Sequence, residues 1–262
     1  MLRSLFTAST GLQAQQLQTD VIANNIANVN TPGFKRDRLN FQDLIYQVFR
    51  EAGVSTLTGA QVPSALRVGL GVRPIATQKL FTEGVIEPTG NTLDLAIMGD
   101  GFFTVLLEDG RQAYSRDGSF KLNGSGEIVT ADGLTLDPVI TIPPEALRIE
   151  IAQDGNVSVQ MSGETEFTNV GQIQLARFQN PTGLSAIGRN LFLPTAASGD
   201  AQLGTPNAEG FGTVYQSYLE LSNVNIVEEL VQLIIAQRAF ETNSRAVSVA
   251  DQLLSITNNL AR

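Results

Sequence analysis

Near the C-terminus, apolar side chains return at every seventh position: Ile226, Leu233, Phe240, Val247 and Leu254. Ala236 and Ala250 flank them, as do Ala239, Ala246, Leu253 and Leu260. Seven residues are close to two turns of α-helix, so these side chains fall on one stripe. The spacing predicts a helix from Asn225 to Leu260, roughly 54 Å long at 1.5 Å per residue. Its stripe is wider than a two-stranded seam requires, so it is expected to touch more than one neighbour. The alanines leave room for a partner helix to come close.

The other end carries a thinner version of the same pattern. Leu5, Ala8, Leu12, Gln15, Thr19, Ile22, Ile26 and Val29 alternate at spacings of three and four, and Ser4 to Thr19 bears no charge. A helix from Leu2 to about Asn28 would run roughly 40 Å. With Gln15 and Thr19 in its seam, it needs tertiary packing to be stable. It closes on Ala23 to Arg36, ANNIANVNTPGFKR. Pro32 restricts the residue before it and Gly33 permits a turn. Asn24, Asn25, Asn28 and Asn30 are placed to make polar contacts around the bend. Phe34-Lys35-Arg36-Asp37-Arg38 is the dense cationic patch of the chain, partly neutralised by Asp37. It reads either as a solvated elbow or as a grip on an acidic neighbour. Phe41, Leu44, Ile45, Val48 and Phe49 then recur at helical spacing, predicting a short amphipathic helix that ends before Gly53.

Gly53 to Pro74 is rich in Gly, Ser, Thr and Ala and reads as an extended excursion, with β structure possible from Leu66. Its GLGVRP lacks the Gly-Lys-Ser/Thr ending of a phosphate cradle. Beyond it the pattern turns to strands. Phe103, Val105 and Leu107 alternate, and Asp-Gly or Asn-Gly pairs fall at 109–110, 117–118, 123–124, 132–133 and 154–155. Turn signals at this density predict a compact antiparallel β domain. The expected class is therefore α+β: long N- and C-terminal helices pairing as a coiled coil around a central antiparallel β-rich domain. The expected boundaries are 1–52 for an N-terminal helical segment with its elbow and 53–74 for the excursion. The β domain is expected at 75–212, followed by a C-terminal helical segment at 213–262 that pairs with 1–30.

Composition removes whole classes of function. Seventeen Lys and Arg stand against 26 Asp and Glu, a formal charge of −9, which disfavours a nucleic-acid partner. The 262 residues contain no Cys, His or Trp. The usual thiol nucleophile, imidazole base and zinc ligands are thus missing. Several acidic residues sit in Asp-Gly turns, where they hydrogen-bond locally. Ser185 stands outside any nucleophile elbow. No catalytic, cofactor or metal site is expected, and no stretch reaches the ~20 apolar residues that cross a bilayer.

These residues resemble the flagellar rod and hook axial-protein family. ANNIANVNTPGFKR at 23–36 matches the family's N-terminal motif, and the stretch from Ser222 to Leu254 matches its C-terminal one. GVRPIAT at 71–77, TGNTLDLAIMGDGFF at 89–103 and YSRDGSF at 114–120 look like rod-type signatures. The length and the excursion resemble the distal-rod branch more than the larger hook protein. The proximal-rod branch is the nearer alternative, and a secreted adhesin that oligomerises through its helices is an alternative from another class.

The resemblance implies a non-enzymatic subunit of a rigid hollow helical shaft. It would cross the periplasm within the basal body and be exported by the flagellar type III apparatus without a cleaved signal peptide. The implied partners are other copies of the chain, proximal rod proteins, the hook protein and the surrounding P- and L-rings, with no direct membrane insertion. The assembly residues expected from seams and elbow are Leu5, Leu12, Ile22, Ile26, Asn24, Asn25, Asn28, Pro32, Gly33, Phe34, Ile226, Leu233, Phe240, Val247 and Leu254.

Overall fold

The computed structural model describes residues 2–52, 63–163 and 166–260. Residues 53–62, the first part of the excursion expected at 53–74, lie outside the described residues. The chain divides into two units. One comprises residues 1–27, 37–78 and 225–262; the other comprises residues 28–36 and 79–224.

The first unit holds the two long helices, α1 (Leu2–Ala27) and α2 (Ile226–Leu260). Neither contains proline, and α1 stops where Asn28, Val29 and Asn30 form a turn. At the start of α2 the Asn225 side chain accepts from Val227 N at 3.0 Å and, more weakly, from Glu228 N at 3.4 Å. This cap satisfies backbone donors that have no partner within the helix, and Glu228 and Glu229 add negative charge at the positive end of the helix dipole. The helices pack along each other. Ala8, Ala14, Ile22 and Asn25 are buried on α1, as are Glu229, Ala236 and Ala250 on α2.

The amphipathic helix expected at 41–49 does not exist. This stretch falls in two strands, β1 (Asp37–Asp43) and β2 (Tyr46–Arg50), whose partners are β3 (Leu66–Gly69) and β4 (Val72–Lys79). β1 pairs with β4, and β2 pairs antiparallel with β3 in a register that sets Tyr46 opposite Gly69 and Val48 opposite Arg67. Phe41, Ile45, Tyr46, Val48 and Phe49 are aromatic or β-branched and favour a pleated ribbon, and the distant partners at 66–79 settle the matter. The ribbon breaks where Leu44 N donates to Gly71 O at 2.8 Å. Gly71 has φ 120°, and a Cβ there would run into Thr10 of α1.

The second unit is built on a nine-stranded sheet with a separate three-stranded antiparallel sheet, Ala146–Ile151, Asn156–Met161 and Phe167–Gln172. The Asp-Gly and Asn-Gly pairs at 109–110, 123–124, 132–133 and 154–155 fall between consecutive paired strands, as hairpin chemistry demands. Asp117-Gly118 does not. There Gly118 passes so close to Leu95 O that a Cβ could not fit. The central strand Phe102–Leu106 is buried on both faces. Phe103 and Val105 enter the main core with Leu136, Val157, Val159, Ile173 and Leu175. Phe102 points the other way, into an edge-to-face aromatic cluster with Phe81, Phe178 and Phe192. The unit also reaches further along the chain than the expected limit of 212. Thr213–Gln216 pairs with Leu95–Met98, and Tyr218–Glu220 pairs with Ile86–Pro88.

Candidate assembly site

The helix pair shows which seam residues meet. On α2 the side that turns inward reads Glu229, Leu233, Ala236, Asn243, Val247, Ala250 and Leu254, spaced by three, four or seven and all buried or half-buried. On α1, Ile22 is buried and Leu5, Leu12 and Ile26 are half-buried. Of the five residues at seven-fold spacing, Leu233, Val247 and Leu254 share this side, whereas Ile226 and Phe240 remain 46% and 41% exposed. Small residues set the approach at mid-helix, where Gly11 of α1 lies against the Asn243 side chain.

The far side of α2 is apolar and uncovered within the chain. Val227 is 70% exposed, and Leu230, Val231, Ile234 and Ile235 lie open beside it. Val249, Leu253 and Ile256 form a second exposed block further along the helix. At 100° per residue these side chains lie roughly opposite the Glu229–Leu254 line. Arg238 and Arg245 stand between the two blocks. Seven-residue spacing alone does not tell the two faces apart: Val227 and Ile234, and Val249 and Ile256, are also seven apart, yet they lie on the open side.

Asn25 is the polar fastener of the helical unit. Its amide accepts from Asp37 N and donates to Asp37 O, both at 2.9 Å, and also donates to Glu229 Oε2 at 3.2 Å. One buried side chain thus joins α1, the start of β1 and the first turn of α2. Asn24, by contrast, is exposed.

In the β unit, the elbow residues 28–36 lie against strands far away in sequence. Asn28 and Pro32 are half-buried; Gly33 and Phe34 are buried. Gly33 has φ 68°, its N donates to Glu220 O at 2.8 Å, and a Cβ there would meet the backbone of Arg116 and Asp117. Pro32 O accepts from the Asn190 side chain at 3.0 Å. Lys35, expected in a solvated or intermolecular patch, is fully enclosed. Its Nζ donates to Glu220 Oε1 at 2.6 Å and to Thr82 O at 2.7 Å. Arg116 approaches the other Glu220 oxygen at 3.4 Å. Burial pushes the Lys35 ammonium below the usual lysine range, against the opposing pull of Glu220. Beside the elbow a shallow cavity of about 210 Å³ is lined by Phe34, Lys79, Arg189, Asn190 and Phe192, among others, and its lining carries no carboxylate.

In chain order, paired terminal helices with an uncovered apolar face flank a folded β unit. Family models agree at three places. Residues 5–35 match the model described as flagella basal body rod protein, 96–159 that of the flagellar hook protein FlgE/F/G D1 domain, and 215–260 that of the flagellar basal body rod FlgEFG protein C-terminal. The flagellar basal-body rod protein FlgG of Caulobacter vibrioides is 49% identical over 260 residues, covering 99% of each chain. That of Borreliella burgdorferi is 47% identical over 264 residues, covering all of both chains. That of Bacillus subtilis is 38% identical, again over the whole of both. The chain belongs to the FlgG family of flagellar basal-body rod proteins and is a structural subunit of the flagellar rod. Among the described residues, no helix is long and apolar enough to cross a membrane.

Proposed function

We propose that this subunit builds the distal part of the rod. Copies would polymerise into a rigid hollow helix in which α1 and α2 form the inner coiled-coil layer, passing torque from motor to hook. The observation that carries this reading is the uncovered face of α2. A stripe from Val227 to Ile235, with a second block at Val249–Ile256, is more apolar surface than a free helix keeps in water, and it suits neighbouring helices of the same kind. Contacts that repeat head to tail without closing produce a filament. The neighbours in this reading are proximal rod proteins at one end, the hook protein at the other and the P- and L-rings around it. Delivery is through the flagellar type III export apparatus. The seam and elbow residues act in assembly; the reading assigns them no chemistry.

The test is the double substitution Val231→Glu with Ile235→Glu. Both side chains are exposed in the single chain, so the variant should fold with unchanged circular dichroism yet form no filaments in sedimentation and electron microscopy. Filaments formed at the wild-type concentration would overturn the reading. The excursion at 53–74 is assigned to contacts between neighbours that limit bending. Removing residues 53–74 should therefore give curved or pliable polymers, and straight, equally stiff ones would count against that role.

A further inference from the structure

Among the turns that shape the β unit, Asn123-Gly124 is the one whose own chemistry can rewrite the main chain. It is the sole Asn-Gly pair in the sequence. A glycine in second place leaves its backbone nitrogen unshielded beside the asparagine amide, since no Cβ crowds it. Gly124 and Ser125 are exposed, and the turn borders a cavity of about 310 Å³ lined also by Ile142, Pro143, Pro144 and Ile149, so water reaches it. The Asn123 side chain, however, is tied down. Its Oδ1 accepts from Ser125 N and Glu127 N, both at 2.9 Å, and its Nδ2 donates to Glu127 Oε2 at 2.7 Å. The main chain closes the same loop: Asn123 N donates to Glu127 O and Gly126 N to Asn123 O, both at 3.0 Å. Swinging the Asn123 Cγ face-on to the Gly124 nitrogen breaks the side-chain bonds.

We infer that Asn123-Gly124 is a self-modification site that Glu127 holds shut in the folded β unit. The reaction is intramolecular. Gly124 N bonds to Asn123 Cγ, the Cγ–Nδ2 bond breaks, and the proton lost by Gly124 passes through solvent to the departing ammonia. Water then opens the five-membered imide at either carbonyl and leaves aspartate or iso-aspartate at position 123. Only water is consumed. The bond to the Glu127 carboxylate is charge-assisted, so the amide is freed chiefly when the loop opens locally. Conversion then alters the loop for good. The donor facing Glu127 becomes a carboxylate, and two like charges meet where a 2.7 Å hydrogen bond stood. Iso-aspartate also adds a methylene to the main chain of the loop that sets Ile128 opposite Leu122. Each productive opening is thus recorded permanently, and the mark weakens the hairpin that carries it. The site is complete in a single chain and stands whether or not the distal-rod reading is right.

Peptide mass spectrometry of the full-length chain, kept in warm neutral buffer, counts aspartate and iso-aspartate at position 123. The folded wild type should convert at least about tenfold more slowly than the same chain in guanidinium chloride. Glu127→Ala removes the anchor and should raise the folded-state rate about tenfold or more. Glu127→Gln, whose amide oxygen still accepts from Asn123, should fall between the two, with near-ultraviolet circular dichroism unchanged in both variants. A Cβ on Gly124 would meet nothing, and its φ is not left-handed, so Gly124→Ala fits the fold. Added to Glu127→Ala, it should slow conversion again by crowding the attacking nitrogen. A folded wild type that converts as fast as the denatured chain would overturn the inference, as would Glu127→Ala converting at the wild-type rate. Fast conversion of Glu127→Ala with its near-ultraviolet signal lost would do the same, because the fold at large and not Glu127 would then be the shield. Conversion indifferent to Gly124→Ala would sink the imide route.

Discussion

Gly33 is the residue on which the elbow depends. Its φ of 68° is disfavoured for any residue with a Cβ, and a Cβ would in addition meet the backbone of Arg116 and Asp117, which cannot rotate away. Gly33→Ala should therefore destabilise the β unit by about 2 kcal/mol or more, read as a lower urea midpoint at unchanged slope. The neighbouring Lys35 shows the limit of reading residues singly. In sequence it belongs to a run of charges, Phe34-Lys35-Arg36-Asp37-Arg38, for which a solvated surface is the ordinary expectation. Its actual partner, Glu220, is 185 positions away, and no local pattern announces the pair. Asn25 is similar: an asparagine in an Asn-rich helix end indicates a bend, but not that its amide will bond both backbone groups of Asp37 and reach Glu229.

The helices were legible and the ribbon was not. Both α1 and α2 end within a residue or so of where apolar spacing and the flanking asparagines put them, because a helix satisfies its backbone locally and its periodicity is written in consecutive residues. Phe41 to Phe49 has apolar residues at helical spacing too, yet it is strand. A ribbon draws its hydrogen bonds from residues about 20 to 40 positions away, which a local pattern does not record. Within the helix pair, spacing identified the apolar line but missed Glu229 and Asn243, polar residues seated among it.

Gly11 gives the element its own test. A Cβ there would lie 2.9 Å from Asn243 Nδ2, the movable end of a side chain. Gly11→Ala should be neutral or raise helix stability by up to about 1 kcal/mol as Asn243 swings aside. Gly11→Leu should instead part the helices and lower helicity at 222 nm, because a branched side chain has no comparable space.

For the whole molecule the informative quantity is where the charge lies. The β unit, residues 28–36 and 79–224, carries nine Lys and Arg against eighteen Asp and Glu; the helix-and-ribbon unit carries eight of each. The full formal charge of −9 thus resides on the β unit, and the unit with the uncovered apolar face is neutral. Such a division lets apolar faces meet without self-repulsion while acidic β units keep free subunits apart. Polymerisation should accordingly quicken with salt, as the screening length falls from about 30 Å at 0.01 M to about 8 Å at 0.15 M. Light scattering at the two ionic strengths measures this, and a rate that falls with salt would place the dominant charges at attractive contacts instead.

The sequence by itself determined the α+β class, the two terminal helices, the hairpins marked by Asp-Gly and Asn-Gly pairs, and the axial family. All of these are carried by short-range spacing or by contiguous motifs. Tertiary structure alone decided that residues 37–50 join a ribbon, that Thr213–Glu220 complete the β unit, and that Lys35 is buried on Glu220. It also decided which side of α2 packs on α1 and which stays open. The reason is common to all four. Strand pairing and buried ion pairs take their energy from partners tens to hundreds of residues apart, and the face a helix buries is set by what lies beside it.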